Sequence, residues 1–197
     1  MIDDIFGDIP QPNVDWYPNW LLPEAAALDL ERVIGEVAWK QDMMRTPAGP
    51  TPLPRLTAWQ GDSGAVYVYS GIRNVPLGWT PAVLALKEAA EAQCGVRFNS
   101  VLLNRYRDGN DSMGWHADHE PELGAEPVIA SVSLGAARRF DLRHNRTGVV
   151  QSFRLTGGSL LVMRGRTQAE WRHRVPKEPD VRGERVNLTF RFVVPRS

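Results

Sequence analysis

The sequence has almost no cysteine: Cys94 is the single one in 197 residues. That excludes an internal disulfide framework and a cysteine-rich zinc site, and it fits a reducing, cytoplasmic setting. No apolar run approaches the roughly 20 residues that a membrane-spanning helix needs, and no basic segment followed by an apolar one opens the chain as a secretory signal would. No membrane partner is expected. Histidine is limited to four, so an imidazole-based site has few candidates. Lysine is scarce as well, since 20 of the 23 basic residues are Arg. The planar Arg fork suits phosphates and carboxylates, although an Arg-rich codon composition explains the bias equally well. There is no internal repeat and no low-complexity tract.

What is present is ordinary for a globular protein, with 43% hydrophobic and 23% charged residues. The length suggests one domain, expected as a monomer. Net charge is zero, but residues 1–50 carry −6 and residues 51–197 carry +6. Residues 1–22, acidic and aromatic with scattered Pro, read as an irregular arm packed on the core. Residues 23–197 read as a single domain.

Leu30, Val33, Ile34 and Val37 recur at helical spacing within residues 24–40, and Pro23 suits a first turn. Residues 46–54 hold four prolines in nine positions and read as a loop. Val66, Tyr67, Val68 and Tyr69 signal a strand. Thr80 and Pro81 open a second helix that Gly95 ends, with Cys94 as a small core filler. From residue 96 onward the pattern changes. Segments 97–106, 128–134, 138–143, 150–155, 158–163, 170–175 and 185–194 read as short strands with no crossover helix between them. The fold class is therefore α+β, mainly β: an antiparallel jelly roll, or double-stranded β-helix, with supporting N-terminal helices.

His116 and Asp118 form an H-x-D pair. In extended backbone, residues i and i+2 point to the same side, so both side chains could grip one metal ion. The pair by itself is equally consistent with a solvated turn after Asp108-Gly109-Asn110-Asp111. The segment 185–192 alternates strictly, with Arg185, Asn187, Thr189 and Arg191 on one face and Val186, Leu188, Phe190 and Phe192 on the other, the apolar face expected to point into the core. The polar row is either a solvent-exposed face or the lining of a cavity that holds an anion. Arg185 and Arg191 stand about 20 Å apart along an extended strand, and long side chains could converge on one small dicarboxylate. Among the other histidines, His119 falls on the far side of an extended segment from Asp118, and His144 sits in an apparent loop. His173 lies on a strand that enters the turn before the Arg row. His116, Asp118 and His173 would make a two-His, one-carboxylate triad with open positions for a keto acid and O2.

The same stretches resemble the AlkB family of Fe(II)/2-oxoglutarate dioxygenases, nearest to its AlkB homologue three-like branch, which prefers single-stranded DNA and RNA. The likeness runs from about Val37 to Pro195. It rests on Trp39-Lys40-Gln41, PRLTAW (54–59), FNS (98–100), Asn104-x-Tyr106, W-H-x-D (115–118), ASVSLGA-x-R-x-F (130–140), GSLLVM (158–163), TQAEWRHRVPK (167–177) and RVNLTFR (185–191), all in family order.

That resemblance implies that His116, Asp118 and His173 bind iron and that Asn104, Tyr106, Arg185, Asn187 and Arg191 hold 2-oxoglutarate, one Arg at each carboxylate end. It implies a substrate pocket formed by Arg55, Tyr67, Tyr69, Trp115 and Glu120, with residues 23–95 contributing nucleotide recognition and 96–197 the jelly-roll core. His119 departs from the Asp usual there. The implied reaction is oxidative demethylation of 1-methyladenine or 3-methylcytosine in DNA or RNA, yielding succinate, CO2 and formaldehyde. An RNA-modifying enzyme, or a dioxygenase acting on protein or lipid, would use the same site. Phosphate contacts are expected from about a third of Arg138, Arg139, Arg143, Arg146, Arg164, Arg166, Arg172 and Arg174, with ordinary salt bridges for others of them. The place where duplex-acting relatives carry a wedge-bearing hairpin holds Met43, Met44 and the prolines. Their number argues against a regular hairpin and leans towards a single-stranded substrate.

Overall fold

A computed structural model describes residues 9–47, 49–65, 67–69 and 72–194, with only the backbone described at 45–46, 67–69 and 72–74. In chain order the elements are β1 (Val14–Tyr17), α1 (Pro23–Glu36), β2 (Met43–Thr46), β3 (Gly49–Pro52), β4 (Leu56–Gly61), β5 (Tyr67–Tyr69), β6 (Ile72–Asn74), α2 (Pro81–Cys94), β7 (Ser100–Tyr106), β8 (Met113–His116), β9 (Ile129–Gly135), β10 (Arg138–His144), β11 (Val150–Leu155), β12 (Ser159–Met163), α3 (Thr167–Glu170), β13 (Trp171–Val175) and β14 (Arg185–Arg191). Among the described residues no helix is long and apolar enough to cross a membrane.

Two antiparallel sheets face each other. The major sheet has the order β1-β12-β9-β14-β7-β4, and the minor sheet β11-β10-β13-β8. Sequence neighbours seldom pair, which is the jelly-roll signature of strands that cross between sheets. The seven strands expected after residue 96 all form, each within two or three residues of its expected bounds. His144 falls at the end of β10 rather than in a loop, buried against Trp171 with ring centroids 5.1 Å apart.

The major sheet is covered on both faces. On one, Val186, Leu188 and Phe190 join Val101, Leu103, Val132 and Leu134 under Val33 of α1 and Val83 and Leu86 of α2, whereas Phe192, expected on the same face, lies past the end of β14 and is exposed. Both helices start at Pro, where a missing N–H costs nothing. Gly95 ends α2 at φ 70°, the left-handed conformation glycine adopts freely. On the other face, Ile129, Leu161 and Met163 of the major sheet meet Phe140, Leu142, Trp171 and Val175 of the minor one.

Two expectations for the N-terminal third need correction. The arm is not irregular throughout: Val14–Tyr17 pairs in register with Met163–Leu160 on the edge of the major sheet. Val14 and Trp16 pack between the sheets while Tyr17 packs against the helix-side core. The free edge of β12 supplies the backbone partners that the segment cannot supply locally. The Pro-rich stretch also departs from a loop, since β2 and β3 form a hairpin with Met43 opposite Pro52 and Arg45 opposite Pro50. Prolines two residues apart share one side of a strand, and a two-stranded ribbon has an outer edge that accommodates both. The argument against a hairpin therefore falls, and with it that support for a single-stranded substrate. Met43 and Met44 are exposed on it.

The loop from β7 to β8 sets where His116 stands. Arg138 is fully buried behind it and donates to the carbonyls of Asp108 (3.0 Å), Asp111 (2.8 Å) and Pro176 (2.7 Å) while pairing with Glu178 at 3.2 Å. Gly109 is threaded into this clamp, donating to Val181 O and accepting from Glu178 N. A Cβ there would fall 1.7 Å from Glu178 O. Gly109→Ala is expected to lower unfolding free energy by about 2 kcal/mol or more, the scale of a forced overpacking. Urea denaturation measures this, and an unchanged midpoint would rule out the clamp.

Candidate active site: a buried triad between two chambers

Antiparallel pairing of β8 with β13 places His116 directly opposite His173, with ring centroids 4.1 Å apart. Two residues on, Asp118 returns to the same side. The ligand atoms of His116, Asp118 and His173 all lie within 4.8 Å of one another, a separation one metal ion can bridge. His116 Nδ1 sits 2.8 Å from Gly114 O. A carbonyl only accepts, so Nδ1 carries the proton and Nε2 keeps its lone pair. Asp118 N donates to the buried Gln168 Oε1 at 2.9 Å, which fixes the backbone between the two elements.

The electrostatics keep this donor set ready to bind a cation. Burial pushes both histidines down, His173 to about 3 with the neighbouring His116 adding to the effect, so both imidazoles are neutral. Burial alone would raise Asp118. The Arg191 guanidinium, 2.8 Å from Oδ2, leads the interactions that outweigh it and hold the carboxyl below the usual range. Two neutral imidazoles and one carboxylate, with His173 Nδ1 buried and without a partner, fit a divalent transition metal with open positions.

The polar row of β14 is not solvent-exposed. Arg185 is fully buried and Arg191 is 3% exposed. Asn187 lies opposite Asn104 and Ser133 on the flanking strands, and Arg185 opposite Tyr106. Asn187 Oδ1 accepts from Arg185 Nη2 (2.7 Å) and Ser131 Oγ (3.1 Å), and Asn187 Nδ2 donates to Thr189 Oγ1 (2.9 Å). Tyr106 lies under Arg185, whose guanidinium carbon is 5.1 Å from the ring centroid. Arg185 Nε and Nη1 and Arg191 Nε are buried N–H donors without a partner. Burial also lowers the Arg185 pKa from its ordinary value. Unpaired buried guanidinium donors are costly, and an anionic ligand with two carboxylates would satisfy both ends of the row.

Two chambers meet at the triad. An inner one is lined by Asn104, Tyr106, Ser131, Asn187, Thr189 and Arg191, with Arg185 behind Tyr106 and Asn187. An outer one is lined by Lys40, Asp42, Arg55, Thr57, Trp59 and Glu120. Both share Leu102, Asn104, Met113, His116, Asp118 and Arg191. Arg55 Nε donates to Asn104 Oδ1 at 2.7 Å, linking the chambers, and Glu120 Oε2 is buried without a partner.

Most of the expected site residues thus converge. The side chains of Tyr67 and Tyr69 lie outside the described residues. Trp115 does not line either chamber: it precedes His116 on a strand, so it faces the opposite way, against Arg143 and Arg174. Some of the arginines considered for phosphate contact form ordinary ion pairs, as expected. Arg138 holds the loop clamp, Arg164 pairs with Asp15, and Arg166 pairs with Glu170. Residue-type reasoning missed Gln168, Asp42 and Thr57. Gln168 and its neighbours were visible only as part of the TQAEWRHRVPK motif.

A two-His, one-carboxylate triad inside a jelly roll, facing buried guanidinium N–H donors that lack partners, defines a metal-dependent oxygenase site that uses an anionic co-substrate. A family profile described as the 2OG-Fe(II) oxygenase superfamily matches residues 13–191, and the chain belongs to that family. It is 45% identical to the rat alpha-ketoglutarate-dependent dioxygenase alkB homolog 3 over 189 residues, 91% of this chain and 63% of that protein. It is 43% identical to the human one over 91% of this chain and 65% of the relative. The human DNA oxidative demethylase ALKBH2 is 40% identical over 72% of this chain and 58% of its own length. The chain thus spans less than two thirds of these relatives. The solved structure of OsALKBH1 superposes with a TM-score of 0.64 at 20% identity, covering 93% of this chain and 99% of that one, a likeness of fold. Fe(II) and 2-oxoglutarate are the metal and co-substrate that the family implies, and the donor set and the unpaired guanidiniums fit both.

The pKa depressions carry a stability consequence. His173 binds its proton in the unfolded chain near pH 6.5 but in the folded one only near 3. Its contribution is fully present above pH 6.5 and is lost as pH falls towards 3. At pH 5 this amounts to about 2 kcal/mol from this residue alone. Denaturation of metal-free protein between pH 7.5 and 5 is expected to reveal the slope, and His173→Gln to flatten it. Equal slopes in the two proteins would refute it.

Proposed function

We propose that the chain is a nucleic-acid demethylase that acts oxidatively on N-alkylated nucleobases such as 1-methyladenine and 3-methylcytosine, in DNA or RNA. The observation that carries this reading is the meeting of two chambers at one triad. His116, Asp118 and His173 would hold Fe(II). Asn104, Tyr106, Asn187, Arg185 and Arg191 would hold 2-oxoglutarate in the inner chamber, with Arg191 at the metal end and Arg185 at the far end. The outer chamber would take the base.

Held by His116, Asp118 and His173, Fe(II) would supply with 2-oxoglutarate and O2 the oxidant for the N-methyl carbon, which would leave as formaldehyde while 2-oxoglutarate became succinate and CO2. The rest falls to the side chains. Arg191 holds Asp118 ionised and in place. Arg55, bonded to Asn104 and to Ser112 O (3.2 Å), forms the wall between base and co-substrate. Methylation at a ring nitrogen leaves a cationic base. The Glu120 carboxylate, whose Oε2 has no partner, and Asp42, held ionised by Thr57 and Lys40 against its burial, favour that charge in the outer chamber. The names of the relatives support the substrate class.

The deciding measurement is release of formaldehyde and succinate from matched 1-methyladenine and 3-methylcytosine oligonucleotides, as single-stranded DNA, duplex DNA and RNA. Release of both products is expected, and Asp118→Ala is expected to abolish it. Succinate without formaldehyde on every substrate would send the chemistry to a different acceptor and overturn the reading. Arg185→Met is expected to raise the KM for 2-oxoglutarate about tenfold or more through loss of a charge-assisted pair. An unchanged KM would remove Arg185 from the co-substrate site.

A further inference from the structure

The wall between the two chambers holds an amide whose orientation is chemically forced. Asn104 is buried on β7 between β4 and β14, opposite Thr57 and Asn187, and its side chain lines both chambers. Arg55 Nε stands 2.7 Å from Asn104 Oδ1. A guanidinium only donates, so the amide atom that faces Arg55 must be the oxygen. The NH2 group is thereby turned away from Arg55, and among the described residues it has no partner. Asn187 differs: its Nδ2 already donates to Thr189, whereas Asn104 keeps both amide hydrogens for a ligand.

Arg55 reaches this amide from a fixed base. Its Nη1 donates to Ser112 O at 3.2 Å, and Ser112 N donates to the neighbouring Pro54 O at 2.9 Å. Ser112 belongs to the loop from β7 to β8, which Arg138 holds through Asp108 O and Asp111 O. Two of the three guanidinium nitrogens of Arg55 are thus committed inside the protein. The two orientations of an amide have nearly the same shape, and hydrogen bonds, not packing, choose between them. An NH2 group donates to a carboxylate. A reversed amide would set its oxygen against that anion and lose the bond.

We propose that Arg55 is a positioning residue of the co-substrate site, fixing Asn104 with its NH2 towards the 2-oxo acid at the end nearest the metal. Asn104 shares that end with His116, Asp118 and Arg191, which line the same two chambers. The inference rests on the reading of the inner chamber as the 2-oxoglutarate site. Its consequence is that a side chain lining the outer chamber sets affinity in the inner one with no substrate present.

The test is 2-oxoglutarate binding to Mn2+-loaded protein under nitrogen, by isothermal titration calorimetry and without turnover. Electron paramagnetic resonance of free Mn2+ gives the metal affinity and shows whether the triad is intact. R55M is expected to keep the metal affinity of the parent and to bind 2-oxoglutarate roughly tenfold more weakly, the scale of one hydrogen bond to a charged group. N104A is expected to lose about as much. R55M/N104A is expected to match N104A within about twofold, because Arg55 acts through the amide. N104D keeps an acceptor for Arg55 but has no N–H to offer, and is expected to bind about tenfold more weakly or worse.

An R55M protein with the parent's affinity for 2-oxoglutarate overturns the proposal. So does an R55M loss that persists in full on the N104A background, which would make Arg55 a direct electrostatic partner. N104D binding as tightly as the parent overturns it whatever R55M does to the fold. A parent that takes Mn2+ and no 2-oxoglutarate removes the co-substrate reading and the positioning role together, whereas the other three failures remove the positioning role alone.

Discussion

The fold is arranged around the burial of charge at its centre. Arg185 and Arg191 project from β14 into the space between two sheets, where an unpaired charge is costly. Arg191 is answered by Asp118, and that one ion pair does two things. It holds the carboxylate ionised within a buried site, and it ties the loop after β8 to the central strand of the opposite sheet. Arg185 is answered only by neutral groups: Ser133 and Asn187 as acceptors and the Tyr106 ring. Its remaining donors point to an anion that is part of the working protein and not of the chain.

The rest of the architecture protects this arrangement. The helices α1 and α2 cover the apolar face of the major sheet, so its other face is free to be polar at its middle and apolar towards β12 and β1. The minor sheet closes the second side and contributes His116 and His173 from adjacent strands. A third buried guanidinium, Arg138, has no role in either chamber. It ties together the two loops that lead into β8 and out of β13, the strands that carry the histidines. Catalytic geometry in such a site depends on loops held as firmly as strands.

The individual residues show why parts of this were legible and parts were not. The alternation of Arg185 to Arg191 announced a two-faced strand, but alternation is the same for a wet face and a lined cavity. Only the presence of a second sheet over the row separates them. His173 could be selected because four histidines left few choices, and its strand was readable from local pattern. The hairpin of Met43–Pro52 was hidden because proline penalises a strand in the middle of a sheet and not on an outer edge, and edges are not visible in a local window. The pairing of Val14–Tyr17 was hidden for a related reason, since its partner lies almost 150 residues away. Trp115 carried a family expectation of pocket lining. Its adjacency to His116 on a strand already contained the opposite answer, because neighbouring strand residues face opposite ways.

By itself the sequence determined the class of fold, the two helices, all the strands after residue 96 except β8, and the identity of the residues able to bind a metal and a dicarboxylate. These follow from local periodicity, end signals and side-chain chemistry, which are properties of short stretches. Only the tertiary structure decided that the polar row of β14 is interior, that the triad joins two chambers, that β1 and the β2–β3 hairpin exist, and that Trp115 and its arginines face outward. Each of those depends on which distant strand lies alongside or overhead. Contacts across that distance set burial, and burial turns the same side chains from surface charges into a site.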